Sequence, residues 1–362
     1  MRYDDTIYGA VEITEPVLLD LLKSRAMQRL TGISQHGVTA LLGITPAFSR
    51  FDHSVGVMLL VRHLGASLEE QVAALLHDVS HTAFSHVIDF VFNDHSGQSY
   101  HEEKKEEFIA RSDIPAILNQ YAMNWREFLN EEQFALLEQA SPALCADRLD
   151  YFLRDLEFLG LANPKEISSA VESLVVKDGK IAVSNPDAAR WIAYTFIETD
   201  RVSWSSFREV GLYQLTAEAI KAATQFGFID EADLWGTDKT LWDKLCAADH
   251  PGVRGLTNLI TPGTRFTWDE VRPAFRVATK VRSIDPLVAN GNVVMPLSEL
   301  DPVFGRYLRE YLAGKQGHWP MGIVSAPGIP ARPQFYVRRS EKLTNCWRKH
   351  EEIGFDREQI GN

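Results

Sequence analysis

The run LLHDVSHTAFSHVID, residues 75–89, sets an aliphatic stretch directly against an adjacent His77-Asp78 pair and follows it with His81, His86 and Asp89. Eight of the eleven histidines lie between residues 36 and 101, so groups that titrate or bind metals are concentrated in one part of the chain. Upstream, RFDHSVGV supplies His53; downstream, CADRLDYFLRD supplies Asp147. A lone His-Asp dipeptide occurs by chance in many proteins, but His53, His77, Asp78 and Asp147 form a series spread over separate amphipathic segments. Two imidazoles and two carboxylates suit one divalent transition ion, Fe, Mn, Ni, Co or Zn, with Mg able to accompany substrate phosphates. Such a set leaves coordination positions open for water and a substrate oxygen, which implies catalysis. The lead-in VAALL, residues 72–76, places the pair at depth, where a cation strongly polarises a phosphoryl group.

Helices must carry these side chains. In SLEEQVAALLHDVSH, Ser67 and Glu70 predict a capping box and an apolar helix face running up to the His-Asp pair. SPALCADRLDYFLRDLEFLG predicts a helix over 142–159, with Ser141 as N-cap, Pro142 at the first helical position and Gly160 as the stop. On it Asp147, Asp150, Tyr151, Arg154 and Asp155 share an arc of about 140°, with Arg148 at its edge. Asp150 and Arg154 also fit a structural i,i+4 pair. His77 and His81 would share a face if their helix continued through Val79, but no Glu stands beside either as in H-E-x-x-H. SLVVKDGKIAVSN predicts a two-stranded insert turning at Asp178-Gly179. After residue 235, NLITPGTRFTW, DPLVANGNVVMPL and a Gly/Pro-rich run over 314–333 break the helical pattern. The expectation is a mainly α protein: a helical domain over 1–235 carrying the small hairpin, and a mixed α/β region over 236–362 packed on it.

The formal net charge of -12 disfavours non-specific nucleic-acid binding, so an anionic substrate needs a local basic pocket. Cys145, Cys246 and Cys346 are far apart and form no C-x-x-C, which fits a reducing, cytoplasmic setting. No apolar window reaches the roughly 20 residues of a membrane span, and the N-terminus lacks an apolar signal core. Trp319, Phe335 and Tyr336 in the tail either pack on the helical domain or serve contacts between copies.

The segments QRLTGISQHG (28–37), SRFDHSVGV (49–57), HDVSHTAFSHVID (77–89), HEE (101–103) and DRLDYFLRD (147–155) resemble the HD-domain metal-dependent phosphohydrolases. Within them the likeness is to the deoxynucleoside triphosphate triphosphohydrolase branch, over residues 1–290. The resemblance implies an HD helical bundle with His53, His77, Asp78 and Asp147 as metal ligands. It implies a catalytic group of His81, Asp89 and His101, with His86 a second histidine on the phosphate side. Arg50 and Arg148 would contact phosphate, Gln35 the sugar, and Tyr151 and Asp155 would face the deoxyribose. His81, tuned by Asp89, would give a proton to the departing oxygen. His101 also leaves open a second metal, as some relatives use extra histidines downstream of the pair. In DRVSWSSFREVGLYQLTAEAI (200–220) the chain departs from the branch: Glu209, Gly211 and Leu212 stand where it carries a Tyr, a His and a basic residue.

The implied reaction splits a deoxynucleoside triphosphate into deoxynucleoside and triphosphate. The alternatives are cleavage of another nucleotide (a monophosphate, a cyclic nucleotide or an oligonucleotide) and a nucleotide-sensing module with little turnover. The expected partner is a nucleotide or other phosphorylated small molecule, and a homo-oligomer is implied because relatives assemble.

Overall fold

The computed structural model describes residues 1–324 apart from 95, 292 and 316. The expectations for Phe335, Tyr336, Cys346 and the far part of the 314–333 run lie outside the described residues. The fold is mainly α, as the patterning predicts, with eighteen α-helices among the described residues.

Two helices frame the His-Asp corner. Helix Arg50–His63 starts at a closed capping box: the Ser49 hydroxyl accepts from Asp52 N at 3.1 Å, and the Asp52 carboxylate accepts from Ser49 N at 3.1 Å. It packs on helix Leu68–Leu76, whose buried face is Val72, Ala73, Ala74, Leu75 and Leu76. Ser67 caps this second helix through Glu70 N, but the other half of the predicted box does not form. The Glu70 carboxylate instead accepts from Leu136 N at 2.8 Å and Leu137 N at 3.3 Å. The helix ends at Leu76, so His77 and His81 do not share a helical face.

That Glu70 anchor explains a second departure. Helix Ala146–Phe158 begins with Cys145 as N-cap rather than at Pro142. The first helical amides need acceptors, and here Ala146 N and Asp147 N donate to the Leu136 and Leu137 carbonyls at 2.8 and 3.3 Å. A Ser cap is unnecessary where a neighbouring segment, itself held by Glu70, offers the acceptors. The stop is as predicted, with Gly160 in the left-handed region at φ 69°.

The predicted hairpin forms: Leu174–Lys177 pairs antiparallel with Lys180–Val183 through Asp178 and Gly179 at φ 50° and 73°. It is not a free-standing insert. Lys180–Val183 pairs in parallel with Leu287–Asn290, which pairs antiparallel with Val293–Pro296, giving four strands. A parallel partner about a hundred residues away leaves no local sequence signal. A second sheet places Trp319–Val324 between Arg265–Trp268 and Phe275–Val277. The chain starts with a third ribbon, Arg2–Asp5 with Gly9–Glu12.

Two apolar cores result. One gathers the helices around Arg50–His63 and Ala146–Phe158, with Phe152, Phe196 and Phe304 fully buried. The other surrounds helix Phe207–Gln225 and joins Val38 and Phe84 to Trp242, Val277, Trp319 and Met321, so packing runs across residue 235. Trp319 stacks with the Phe207 ring, their centroids 5.8 Å apart. Among the described residues, no helix is long and apolar enough to cross a membrane.

Candidate active site

His53 comes from the first turn of helix Arg50–His63, His77 from the C-terminal end of helix Leu68–Leu76, and Asp147 from the first turn of helix Ala146–Phe158. Three chain segments therefore meet at one point. His77 Nδ1 donates to the Ala74 carbonyl at 2.8 Å, turning Nε2 inward. The other ring is fixed by a carboxylate: His53 Nδ1 lies 2.8 Å from Asp150 Oδ2. The two inward Nε2 atoms are 3.3 Å apart, and Asp147 Oδ1 lies 2.9 Å from one and 3.5 Å from the other. Asp78 completes the corner at 3.6 Å from each Nε2.

Electron-rich atoms this close repel unless positive charge sits among them. Burial disfavours a charged His77, yet Asp78 and Asp147 outweigh it and raise its pKa to about 10. The same contest raises His53, where burial opposes and bonds to Asp147 and Asp150 win. Burial pushes the Asp78 carboxyl up, but Arg50 and the histidines hold it well below the usual carboxylate range. Two converging nitrogens, each ring backed by a second hydrogen bond, and a carboxylate oxygen fit a divalent ion that would displace those protons.

Beyond this corner a cavity opens, lined by His81, His86 and His101 on one side. His81 stacks on His101 with centroids 3.8 Å apart, and His81 Nε2 lies 3.2 Å from Asp78 Oδ1. Burial and the nearby Arg50 charge push His81 down to about 3, and burial holds His86 and His101 well below the ordinary histidine value. The three rings are thus neutral, with ligand nitrogens within 4.8 Å of one another. Among the described residues Asp89 makes no hydrogen bond to His81, although the two charges still interact. Its Oδ2 lies 2.9 Å from His86 Nδ1 while Oδ1 accepts from Tyr100 N, so it orients His86. Burial lifts the Asp89 carboxyl to about 6.

The remaining expected residues divide. Arg50 lines the cavity, its Nη1 on Asp78 at 2.6 Å and its Nε on Ser85 at 3.0 Å. Arg148 lines it too, tethered to the Ala143 and Gln139 carbonyls. Gln35 and Tyr151 are also in the wall. Asp155 is not: it is 0% exposed, and its two oxygens take His36 Nε2 at 2.8 Å and Trp204 Nε1. His36 and Trp204 form the wall in front of it, Trp204 closing the π-helical turn Asp200–Trp204.

Sequence reasoning missed several contributors. Asp150, which orients His53, shared the predicted arc but was read only as the partner of Arg154, which it also is at 2.8 Å. Lys280 and Arg282, both in the wall, come from the extended stretch before strand Leu287–Asn290; a basic pair there was the available signal. With Arg50 and Arg148 they set four cations in a wall that also carries the carboxylates of Asp78, Glu102, Glu138, Asp147 and Glu209.

Residues 50–155 match the HD domain model. Over 324 residues, 87% of this chain and 93% of the relative, it is 36% identical to the metal-dependent phosphohydrolase cns2 of Cordyceps militaris. The chain belongs to the HD-domain metal-dependent phosphohydrolases. This HD phosphohydrolase is also 38% identical over 289 residues to the uncharacterised protein YdhJ of Bacillus subtilis, covering 80% of this chain and 88% of that one. A more distant match, 26% over 212 residues covering 44% of this chain and 34% of the other, is the deoxynucleoside triphosphate triphosphohydrolase SAMHD1 of Danio rerio. Among solved structures, a phosphohydrolase from Bacteroides thetaiotaomicron shares the fold, with a TM-score of 0.67 at 18% identity over 89% of this chain and 98% of that one. The enzyme is accordingly a metal-dependent hydrolase of phosphoester bonds.

Proposed function

We propose that this HD phosphohydrolase acts on a nucleotide, its phosphate seated between the His-Asp corner and Arg50, Arg148, Lys280 and Arg282. The observation that supports this reading most is one cavity whose wall brings Asp78 and Asp147 of the corner together with three imidazoles and four cationic side chains. His53, His77 and Asp147, with Asp78, would hold one divalent ion. That ion supplies Lewis-acid polarisation of a phosphoryl oxygen and activation of water.

The chain's own groups do the rest. Arg50 and Arg148 are held in place before substrate arrives, so they meet developing phosphoryl charge without reorganising. Lys280 and Arg282 attract and seat the anion. A bound phosphate dianion adds negative charge beside His81 and His86 and raises their proton affinity from the depressed starting point. His86, oriented by Asp89, is then placed to hand a proton to the leaving oxygen, with His81 and His101 beside it.

Release of triphosphate from a deoxynucleoside triphosphate is the form of this activity that the SAMHD1 match supports. Glu209 in the cavity wall favours a second form, hydrolysis of a nucleotide with fewer phosphates, because a buried carboxylate repels a polyphosphate. Chromatography of products from a panel of nucleoside tri-, mono- and cyclic phosphates, each with Mn, Co, Ni or Mg, separates these forms, inorganic triphosphate marking the first. Asp78→Ala is expected to abolish both metal content and turnover. Full activity of that variant without metal, or nucleotides that only raise the melting temperature and are never cleaved, would refute the enzymatic reading.

A further inference from the structure

Between His81 and His86 two adjacent residues hold an unfavourable backbone conformation. Phe84 and Ser85 have φ of 60° and 51°, in the left-handed region where a Cβ crowds the backbone. Both are buried, at 0% and 1% exposure. A bulky residue keeps this conformation only where its surroundings over-determine it. Packing is one such constraint: the Phe84 ring meets Trp242 edge-on with centroids 6.3 Å apart, and the preceding amide, Ala83 N, donates to the Leu234 carbonyl at 2.8 Å.

The stronger constraint is a carboxylate from a distant part of the chain. Asp238, the first residue of helix Asp238–Ala247, is 5% exposed. Its Oδ1 accepts from Phe84 N at 2.7 Å and its Oδ2 from Ser34 N at 2.8 Å, so one side chain pins both segments. Bonds from backbone amides to an ionised acceptor are among the strong ones. Ser85 closes the same junction: its hydroxyl donates to the Ser34 carbonyl at 2.6 Å and accepts from Arg50 Nε at 3.0 Å. The bonds therefore run in series from Asp238 through the left-handed turn to Ser85, and from Ser85 to the guanidinium in the cavity wall, whose Nη1 rests on Asp78 at 2.6 Å.

We infer that Asp238 is a positioning residue for the phosphohydrolase reaction: by holding the Phe84-Ser85 turn against Ser34, it fixes the Ser85 hydroxyl that aims Arg50 at the substrate phosphate. The inference rests on the reading above that Arg50 meets that phosphate. Asparagine in place of Asp238 keeps the shape but turns an NH2 group toward one of the two amides, a donor facing a donor, and so opens one arm of the clamp.

The test follows hydrolysis of p-nitrophenyl phosphate with Mn, with folding checked by circular dichroism and bound metal by atomic absorption. Asp238→Asn and Ser85→Ala are each expected to lower kcat about tenfold to a hundredfold, with KM changed less and metal content at the wild-type level. Ser85→Ala cuts the series in the middle without touching the buried carboxylate, so wild-type kcat in that variant overturns the inference even if Asp238→Asn does not fold. In an Arg50→Lys background, which lacks the Nε bond to Ser85, adding Asp238→Asn is expected to cost less than about a further twofold. The same loss in both backgrounds, or a loss of metal that accounts for the fall in kcat, would overturn the inference and leave the reading of Arg50 standing. Unchanged kcat in Arg50→Lys alone would overturn that reading and this inference with it. A crystal structure of Asp238→Asn gives an answer without any substrate: the Arg50 guanidinium is expected to leave its place, and its retention on both Ser85 and Asp78 would refute the positioning role.

Discussion

Asp150 shows how much of this site lies one bond behind its candidate ligands. Its Oδ2 fixes the His53 ring at 2.8 Å, and the same carboxylate is held by Arg154 and by the Tyr8 hydroxyl at 3.0 Å. Removing such an orienting carboxylate lowers metal affinity by about 10–100-fold. Asp150→Asn is therefore expected to weaken metal binding by that factor, read by equilibrium dialysis, with metal-saturated turnover falling less. His36 carries a different consequence. Burial disfavours its imidazolium, but Asp155 and Glu209 raise the pKa to about 10, above the ordinary 6.5. A raised folded-state value contributes stability in full below pH 6.5 and loses it as pH climbs through 10. The melting-temperature advantage of wild type over His36→Gln should thus be largest near pH 6 and shrink steadily toward pH 10. A gap that is constant across that range would contradict the ion-pair account.

At the scale of elements, the close approach of helices Arg50–His63 and Ala146–Phe158 depends on Gly56. A Cβ at this position would collide with Arg154 Nη2 and Asp150 Oδ1. Alanine inside a helix ordinarily gains about 1 kcal/mol over glycine. Here the sign reverses, because the methyl group forces apart a buried ion pair that also orients His53. Gly56→Ala is expected to destabilise by about 2–4 kcal/mol, measured by urea unfolding, and to lower metal affinity as Asp150→Asn does. The Glu70 carboxylate is a second device of this kind. Spent on the 136–137 backbone instead of its own helix, it sets where helix Ala146–Phe158 begins and hence where Asp147 points.

For the whole molecule, the decisive feature is that the segment after the helical core returns to the cavity. Lys280 Nζ donates to the Gly97 carbonyl at 3.2 Å and Arg282 Nη2 to Gln98 Oε1 at 2.7 Å, which ties the strand region to the loop just before His101. The double variant Lys280→Ala with Arg282→Ala is expected to raise KM about tenfold with kcat changed less than threefold, since seating charge contributes equally to ground and transition states. Its KM should also depend less on ionic strength than that of wild type. Equal salt dependence in both proteins would place these cations outside substrate capture.

The His-Asp corner and its neighbouring histidines were legible in the residues because their types are rare, their grouping is dense and the helices that carry them have local signals: the Ser67 cap, the VAALL face, the Gly160 stop. The Asp178-Gly179 turn was legible for the same reason, since its backbone angles follow from two adjacent residues. Tertiary structure alone decided the rest. It assigned Asp89 to His86, put Asp155 behind His36 and Trp204, paired the hairpin with Leu287–Asn290 and brought Lys280 and Arg282 to the cavity wall. Each of these is a contact between groups whose pairing no local pattern encodes. Side-chain chemistry states what a residue can do, whereas its partner is chosen by which distant surfaces the burial of two apolar cores presses together.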